Sequence, residues 1–273
     1  MTSHGGVLAR ALSHQKAGKL QLAERLFKQI LRADPQHAET WHHLGLAQRN
    51  TGRLKQAADS LSRAVSCDGS NASYLHDLGI CLREMNRLDE AIDLFQQAVE
   101  LAPDHAPTHY QLGSALQQRG DAVGAKLRFE QAVRLEPNFS VAWNDLGIAH
   151  QALGDLDHAG ACFQKLCALA PLIATVHFNL GNIRLAQGNF LEAVACYATA
   201  LERQPRFVEA LNNLGTALHG LGHAERAMQA YEAALAFQPD FADASKNLAT
   251  LLNLLGRSAD SIAPAPQSQK PAA

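Results

Sequence analysis

The sequence has few aromatic residues, no surplus of positive charge and no long apolar run. Phe, Trp and Tyr make up 6% of its 273 residues, and 24 Lys and Arg residues stand against 26 Asp and Glu residues. Nucleic-acid binding needs a cationic surface that neutralises phosphates, so we expect no nucleic-acid partner. No segment approaches the roughly 18 to 20 apolar residues that span a bilayer, and the N-terminal stretch lacks the apolar centre of an export signal. We expect no membrane insertion and a cytoplasmic location.

The sequence also lacks the motifs that mark catalytic, metal or cofactor sites. Its five cysteines include no Cys-x-x-Cys pair, and it contains no phosphate-binding loop, nucleophile elbow or His-Glu-x-x-His pair. Thirteen histidines remain, of which His42, His43 and His76 are close in the repeat described below. Without a third ligand in a defined arrangement, we expect these histidines to lie on a solvated surface. The sequence predicts no enzyme, no metal and no cofactor.

A period of 34 residues organises the chain. The dipeptide Leu-Gly recurs at this spacing, with its glycine at Gly45, Gly79, Gly113, Gly147, Gly181 and Gly215. Alanine fills a second column, at Ala23, Ala57, Ala91, Ala125, Ala159, Ala193 and Ala227. A bulky apolar residue follows each alanine by four positions, at Phe27, Leu61, Phe95, Phe129, Phe163, Tyr197 and Tyr231. A spacing of four places both residues on one face of a helix, so the alanines predict a close helix contact.

Glycine and proline columns separate the predicted helices. The glycines are Gly18, Gly52, Gly120, Gly154, Gly188, Gly222 and Gly256, and Asn86 stands where an eighth is expected. Glycine and asparagine both enter the left-handed backbone region, which ends a helix. The prolines are Pro35, Pro103, Pro137, Pro171, Pro205 and Pro239. Gly69 replaces proline in this column, so we expect a looser joint there.

These columns resemble the tetratricopeptide repeat, whose signature tryptophan precedes Leu-Gly by three residues at Trp41 and Trp143. The resemblance covers about residues 4–256. It implies an all-α fold, a right-handed superhelical solenoid of seven tandem 34-residue helix-turn-helix repeats with a C-terminal capping helix. We place one repeat domain at residues 1–256 and the capping helix at 242–255. The predicted repeats start near residues 4, 38, 72, 106, 140, 174 and 208. Residues 257–273 are rich in Pro, Ala, Ser and Gln, and we expect them to be disordered.

The family resemblance implies that the first helix of each repeat, helix A, lines a concave groove. The residue before each Leu-Gly is polar in every repeat that has this dipeptide. A column of amides and carboxylates suits the main chain of an extended peptide, which needs both donors and acceptors. The predicted groove contacts are Asp77, Tyr110, Gln111, Asp145, Phe178, Asn179, Asn182, Asn213 and Asn247.

The C-terminal repeats also resemble the superhelical repeats of O-linked N-acetylglucosamine transferase. In that family an asparagine ladder holds the substrate peptide, and Asn179, Asn213 and Asn247 stand at the corresponding position. An alternative is that these residues solvate the groove or link neighbouring A helices. The clamp that other members of the repeat family use for chaperone tails needs lysine and arginine in helix A, and the fifth position has no lysine before Lys246.

The predicted function is a protein-interaction scaffold or adaptor that binds an extended peptide. One alternative is the substrate-recruiting part of a glycosyltransferase or methyltransferase system, whose catalytic part is elsewhere. A second alternative is a self-assembling scaffold. The predicted groove carries both signs of charge, at Glu39, Asp77, Glu84, Asp145 and Glu209 and at Arg49, Arg83 and Arg184.

Overall fold

The computed structural model describes residues 4–256, and all regular secondary structure in that range is α-helical. Fifteen helices of 13 or 14 residues follow one another, separated in turn by three and by four residues. Each helix is too short to be stable alone in water, so packing against its neighbours must hold it. The all-α fold with helices packed in consecutive pairs is confirmed. Within residues 4–256, no helix combines the length and apolar character that crossing a membrane requires.

The chain divides between Leu153 and Gly154 into two compact units, which we call the N-terminal and C-terminal units. In the N-terminal unit each helix packs against the next, and α1, α3, α5 and α7 also make contacts in sequence. Its helices are α1 (His4–Lys16), α2 (Leu20–Ala33), α3 (Ala38–Asn50), α4 (Leu54–Cys67), α5 (Ala72–Glu84), α6 (Leu88–Leu101), α7 (Ala106–Gln118), α8 (Ala122–Leu135) and α9 (Ser140–Ala152).

The C-terminal unit has the same arrangement. Consecutive helices pack together, and α11, α13 and α15 make contacts in sequence. Its helices are α10 (Leu156–Leu169), α11 (Ala174–Ala186), α12 (Phe190–Arg203), α13 (Val208–Gly220), α14 (Ala224–Phe237) and α15 (Ala242–Leu254). Helix α15 lies where the closing helix is predicted and ends one residue before the predicted boundary, and its capping role stays a prediction. The predicted tail at 257–273 lies outside the described residues.

Left-handed residues end the first helix of each pair, as the glycine column predicts. The φ angle is positive at all seven glycines of the column and is 60° at Asn86. At α1, the Gly18 N–H donates to the Gln15 carbonyl at 3.0 Å and the Lys19 N–H donates to the His14 carbonyl at 2.9 Å. This pair of bonds satisfies carbonyls that the helix end would otherwise leave free. The chain then turns back within three residues.

The Leu-Gly glycines bring the two helices of a pair into direct contact. A Cβ added at five of them would lie 2.5 to 2.7 Å from the bulky side chain that follows the alanine in the next helix. These glycines are Gly45, Gly79, Gly113, Gly181 and Gly215. All seven alanines of the second column are fully buried. The bulky side chain therefore rests on the glycine backbone, where no larger residue fits.

Hydrogen bonds from ring N–H groups stabilise several of the connections between repeats. The fourth residue of helix A donates to the carbonyl of the preceding proline, at 2.8 to 2.9 Å, from Trp41, His109, Trp143 and His177. At the joint where Gly69 replaces proline, Leu75 occupies this position and has no such donor. The looser joint expected at Gly69 stays a prediction.

We predict that Gly215→Ala destabilises the protein by about 1 to 3 kcal/mol, because the new Cβ would overlap the ring of Tyr231. An added Cβ at Gly215 would lie 2.5 Å from Tyr231 Cε1. Alanine forms helices better than glycine by about 1 kcal/mol, so the loss would arise despite a favourable propensity change. Urea unfolding of both proteins measures the difference.

The matched control is Gly160→Ala in α10, where the added Cβ would lie 3.4 Å from Arg184 Nη1, an ordinary contact. This variant should be as stable as the wild type or more stable by up to about 1 kcal/mol. Equal stability of Gly215→Ala and wild type would show that the glycine column does not set the helix contact.

Candidate functional site

Each unit has its own candidate site, the surface of its A helices. From the second repeat onward these are α3, α5, α7 and α9 in the N-terminal unit and α11, α13 and α15 in the C-terminal unit. We number positions within each helix from its first residue. The predicted contacts lie mainly at positions 5 and 6, where side chains of one A helix face the next A helix. Most of these side chains are half-buried.

In the described part of the N-terminal unit, two side-chain bonds join position 5 of an A helix to position 6 of the next. The Nε2 atom of His42 lies 2.6 Å from Asp77 Oδ2, and the hydroxyl of Tyr110 donates to Asp145 Oδ2 at 3.0 Å. Each bond joins position 5 of one A helix to position 6 of the next, 35 residues later. The second oxygen of Asp145 accepts from Asn144 Nδ2 at 3.0 Å. Both carboxylates are therefore already paired within the unit.

Amides make the corresponding links in the C-terminal unit. Asn247 Nδ2 donates to Asn212 Oδ1 at 2.9 Å, again across 35 residues. Asn212 Nδ2 donates to Asn213 Oδ1 at 3.0 Å, and Asn213 Nδ2 donates to Asn182 Oδ1 at 2.9 Å. The hydroxyl of Tyr197 donates to the same oxygen of Asn182 at 2.9 Å. One continuous chain of amides thus crosses α15, α13 and α11.

The predicted contact residues therefore divide into two groups. The structure brings Asp77, Tyr110, Asp145, Asn182, Asn213 and Asn247 into bonds between helices, and Phe178 packs its ring 4.7 Å from that of Phe207. These residues link A helices, as the alternative interpretation of the column proposed. For three of these links the sequence contains a signal, which is a pair of polar residues 35 positions apart.

Two predicted contacts, Gln111 and Asn179, do not join this network. The Oε1 atom of Gln111 is buried and accepts no hydrogen bond. Asn179 is half-buried and makes no side-chain hydrogen bond within residues 154–256. A buried amide oxygen without a donor costs free energy, and such groups are uncommon in folded proteins. Among the described residues, each unit thus has one position-6 amide that makes no side-chain hydrogen bond.

The prediction that the N-terminal histidines lie on a solvated surface was wrong. His42 is only 9% exposed, and the His43 ring stacks 6.0 Å from that of Phe27. His76 Nδ1 lies 2.9 Å from the Thr108 hydroxyl. These residues occupy positions 5 and 6, where neighbouring helices bury His42 and half-bury His43 and His76. Burial lowers the pKa of His43 and His76, since it disfavours the charged ring.

The cysteines are free thiols, and we assign them no chemistry. Burial raises the pKa of Cys167 to about 11 and also raises the pKa of Cys81 and Cys196. A thiol of raised pKa is protonated at neutral pH and reacts slowly, because the thiolate is the nucleophile. These three residues are packing residues of the helices.

Comparison with known families agrees with this geometry. The model described as the cilia and flagella-associated protein 70 C-terminal domain matches residues 70–269, and a tetratricopeptide repeat model matches residues 8–74. The chain belongs to the tetratricopeptide repeat family. No curated protein matches it.

Several solved structures share the fold. MamA is 27% identical, with a TM-score of 0.57 over 59% of this chain and 94% of MamA. YrrB, described as having an unusual peptide-binding site, is 23% identical, with a TM-score of 0.65 over 69% and 97%. The C-terminal part of a tetratricopeptide repeat protein from Cytophaga hutchinsonii is 17% identical, with a TM-score of 0.76 over 88% and 99%.

We predict that Asn247→Ala lowers the free energy of unfolding by about 1 to 2 kcal/mol, since it leaves the amide oxygen of Asn212 without its donor. Asn212 is 6% exposed, so water replaces the lost bond poorly. The control is Asn253→Ala on the exposed side of the same helix, expected within about 0.5 kcal/mol of wild type. Equal urea midpoints for the two variants would show that the amide chain does not stabilise the fold.

Acidification should destabilise the protein through His43 and His76. Their pKa values are lowered from 6.5 in the folded state, so the unfolded chain binds more protons below that pH. Stability is therefore lost as pH falls below about 6.5. The double variant His43→Gln and His76→Gln should lose less stability between pH 7.5 and pH 5.5 than wild type does.

Urea unfolding at the two pH values measures this difference. The control is His219→Gln at an exposed position, which should lose as much stability between these pH values as wild type does. If the double variant loses as much stability as wild type, His43 and His76 do not cause the pH dependence.

Proposed function

We propose that the protein is a non-catalytic scaffold or adaptor that binds an extended segment of a partner protein along its A helices. The observation that carries this proposal is the pair of unbonded position-6 amides, Gln111 and Asn179, in a column whose other members are largely bonded. A residue needed only to link helices would have its partner within the fold. Because neither side chain is bonded within the fold, each can turn its amide group toward a ligand and offer donors and an acceptor.

The chemistry of the surface suits a peptide main chain. An amide side chain donates and accepts together, so it can pair with a peptide N–H or C=O whatever side chains the peptide carries. Asn182 and Asn213 are held in place by their own bonds, which reduces the entropy lost when a ligand binds. The amide group of Asn213 uses one N–H in the fold and keeps the other.

The comparisons support a protein partner. YrrB has the same fold and is described as having a peptide-binding site. The ladder expected from the resemblance to O-linked N-acetylglucosamine transferase stays a prediction at Asn179. Recruitment of a substrate for a separate transferase and self-assembly would use the same surface, with a substrate segment or a second copy as the occupant.

The test uses a displayed library of random linear peptides, selected on the full chain, and the affinity of a recovered peptide. Asn179→Ala and Gln111→Ala should each weaken binding by about twofold to tenfold, the effect of one lost hydrogen bond. Neither change should lower stability by more than about 0.5 kcal/mol, because neither side chain holds a bond in the fold.

The control is Gln29→Ala on α2, an exposed position on a second helix of a pair, which should bind as wild type does. Absence of any peptide binder, or full affinity in both A-helix variants, would overturn the proposal. Sedimentation of the full chain distinguishes self-assembly, which would give a concentration-dependent mass.

A further inference from the structure

Arg49 and Arg83 occupy the same place in consecutive A helices, at position 12 of α3 and of α5. The surroundings of Arg49 show what this position faces. Its Nε atom lies 3.3 Å from Glu84 Oε1, and its Nη1 atom lies 4.0 Å from Asp77 Oδ1. Both carboxylates belong to α5, at positions 13 and 6. The next A helix therefore neutralises Arg49.

One repeat later the arginine is kept and both acids are lost. The residues 34 positions after Asp77 and Glu84 are Gln111 and Gln118 on α7. Arg83 makes no ion pair within the described part of the N-terminal unit, and its Nε atom is buried without an acceptor. In Arg49 the equivalent Nε atom is paired with Glu84. Gln111, whose oxygen is buried and unbonded, occupies the same helix position as Asp77 does one repeat earlier.

Neighbouring carboxylates do not compensate Arg83. Asp145 accepts from Tyr110 and from Asn144, and it makes no ion pair with Arg83 in the described part of the N-terminal unit. Burial raises the pKa of Tyr110, whereas the positive charge of Arg83 acts to lower it. An unpaired guanidinium at a half-buried site favours anion binding, because charge-assisted hydrogen bonds are stronger where the local dielectric is low.

We propose that Arg83, with Gln111 and Gln118 beside it, binds an Asp or Glu side chain of the partner segment. This inference rests on the proposed function and names the chemistry of the peptide. A peptide carboxylate fits better than a chain of phosphates, because the same surface carries Asp77, Glu84 and Asp145, which would repel repeated negative charge. A carboxylate can bind the planar guanidinium of Arg83 through two parallel hydrogen bonds. Arg49 cannot bind one in this way because it is already paired with Glu84 and Asp77.

The decisive variant is Gln118→Glu, which gives Arg83 the carboxylate that Glu84 gives Arg49. It keeps the arginine and adds an ion pair already present one repeat earlier, so the fold should be retained. Gln29→Glu is the matched control, since it adds the same charge at an exposed position on α2. Melting temperatures of the two variants confirm that both are folded.

The displayed library of random linear peptides is selected separately on wild type, Gln118→Glu and Gln29→Glu. Peptides recovered on wild type and Gln29→Glu should share an acidic residue at one register, and those recovered on Gln118→Glu should not. Calorimetry then compares one recovered peptide with its Glu→Gln or Asp→Asn form. Wild type should prefer the acidic form by about tenfold, and Arg83→Gln should abolish that preference.

Three outcomes would overturn the inference. These are recovered peptides without a shared acid, equal affinity of acidic and amide forms for wild type, and an unchanged acidic preference in Gln118→Glu. If such peptides still lose affinity with Asn179→Ala or Gln111→Ala, the proposed function stands and only the carboxylate site falls. A library without binders overturns both.

Discussion

The contact between a glycine backbone and a bulky side chain is the constraint on which the structure depends. At Gly181 and Gly215 the rings of Tyr197 and Tyr231 occupy the space that a Cβ would need. The contact fixes how closely the two helices of a pair approach, and the fully buried alanine in the second helix fixes the same distance from the other side. Because the contact recurs every 34 residues, equivalent positions in successive repeats meet equivalent surroundings.

This regularity brings polar side chains of consecutive A helices into bonding distance. Position 5 of one helix meets position 6 of the next, whether the pair is His42 with Asp77, Tyr110 with Asp145 or Asn212 with Asn247. The bonds satisfy polar groups that the packed helices half-bury, and satisfied polar groups help to specify one arrangement of the repeats. Departures from the regular pairing are therefore informative, because a residue that breaks it has no partner within the fold.

The helices, their ends and the contact columns could be predicted from the sequence, because they depend on residues close in the chain. The left-handed φ of Asn86 followed from one residue type at one position. The role of the polar column could not be predicted in this way. A polar residue at position 5 or 6 gives the same sequence signal whether it faces solvent or a neighbouring helix. The burial of His42 and the half-burial of His76 were missed for this reason.

The sequence by itself determined the repeat, the all-α fold and the positions where glycine is required, since a period of 34 and a left-handed turn are local properties of the chain. Only the tertiary structure decided which side chains pair. Pairing depends on the offset of one residue between successive A helices, which arises when whole hairpins stack. That offset gives Asn247 its bond to Asn212, whereas Arg83 Nε and Gln111 Oε1 are buried without a partner.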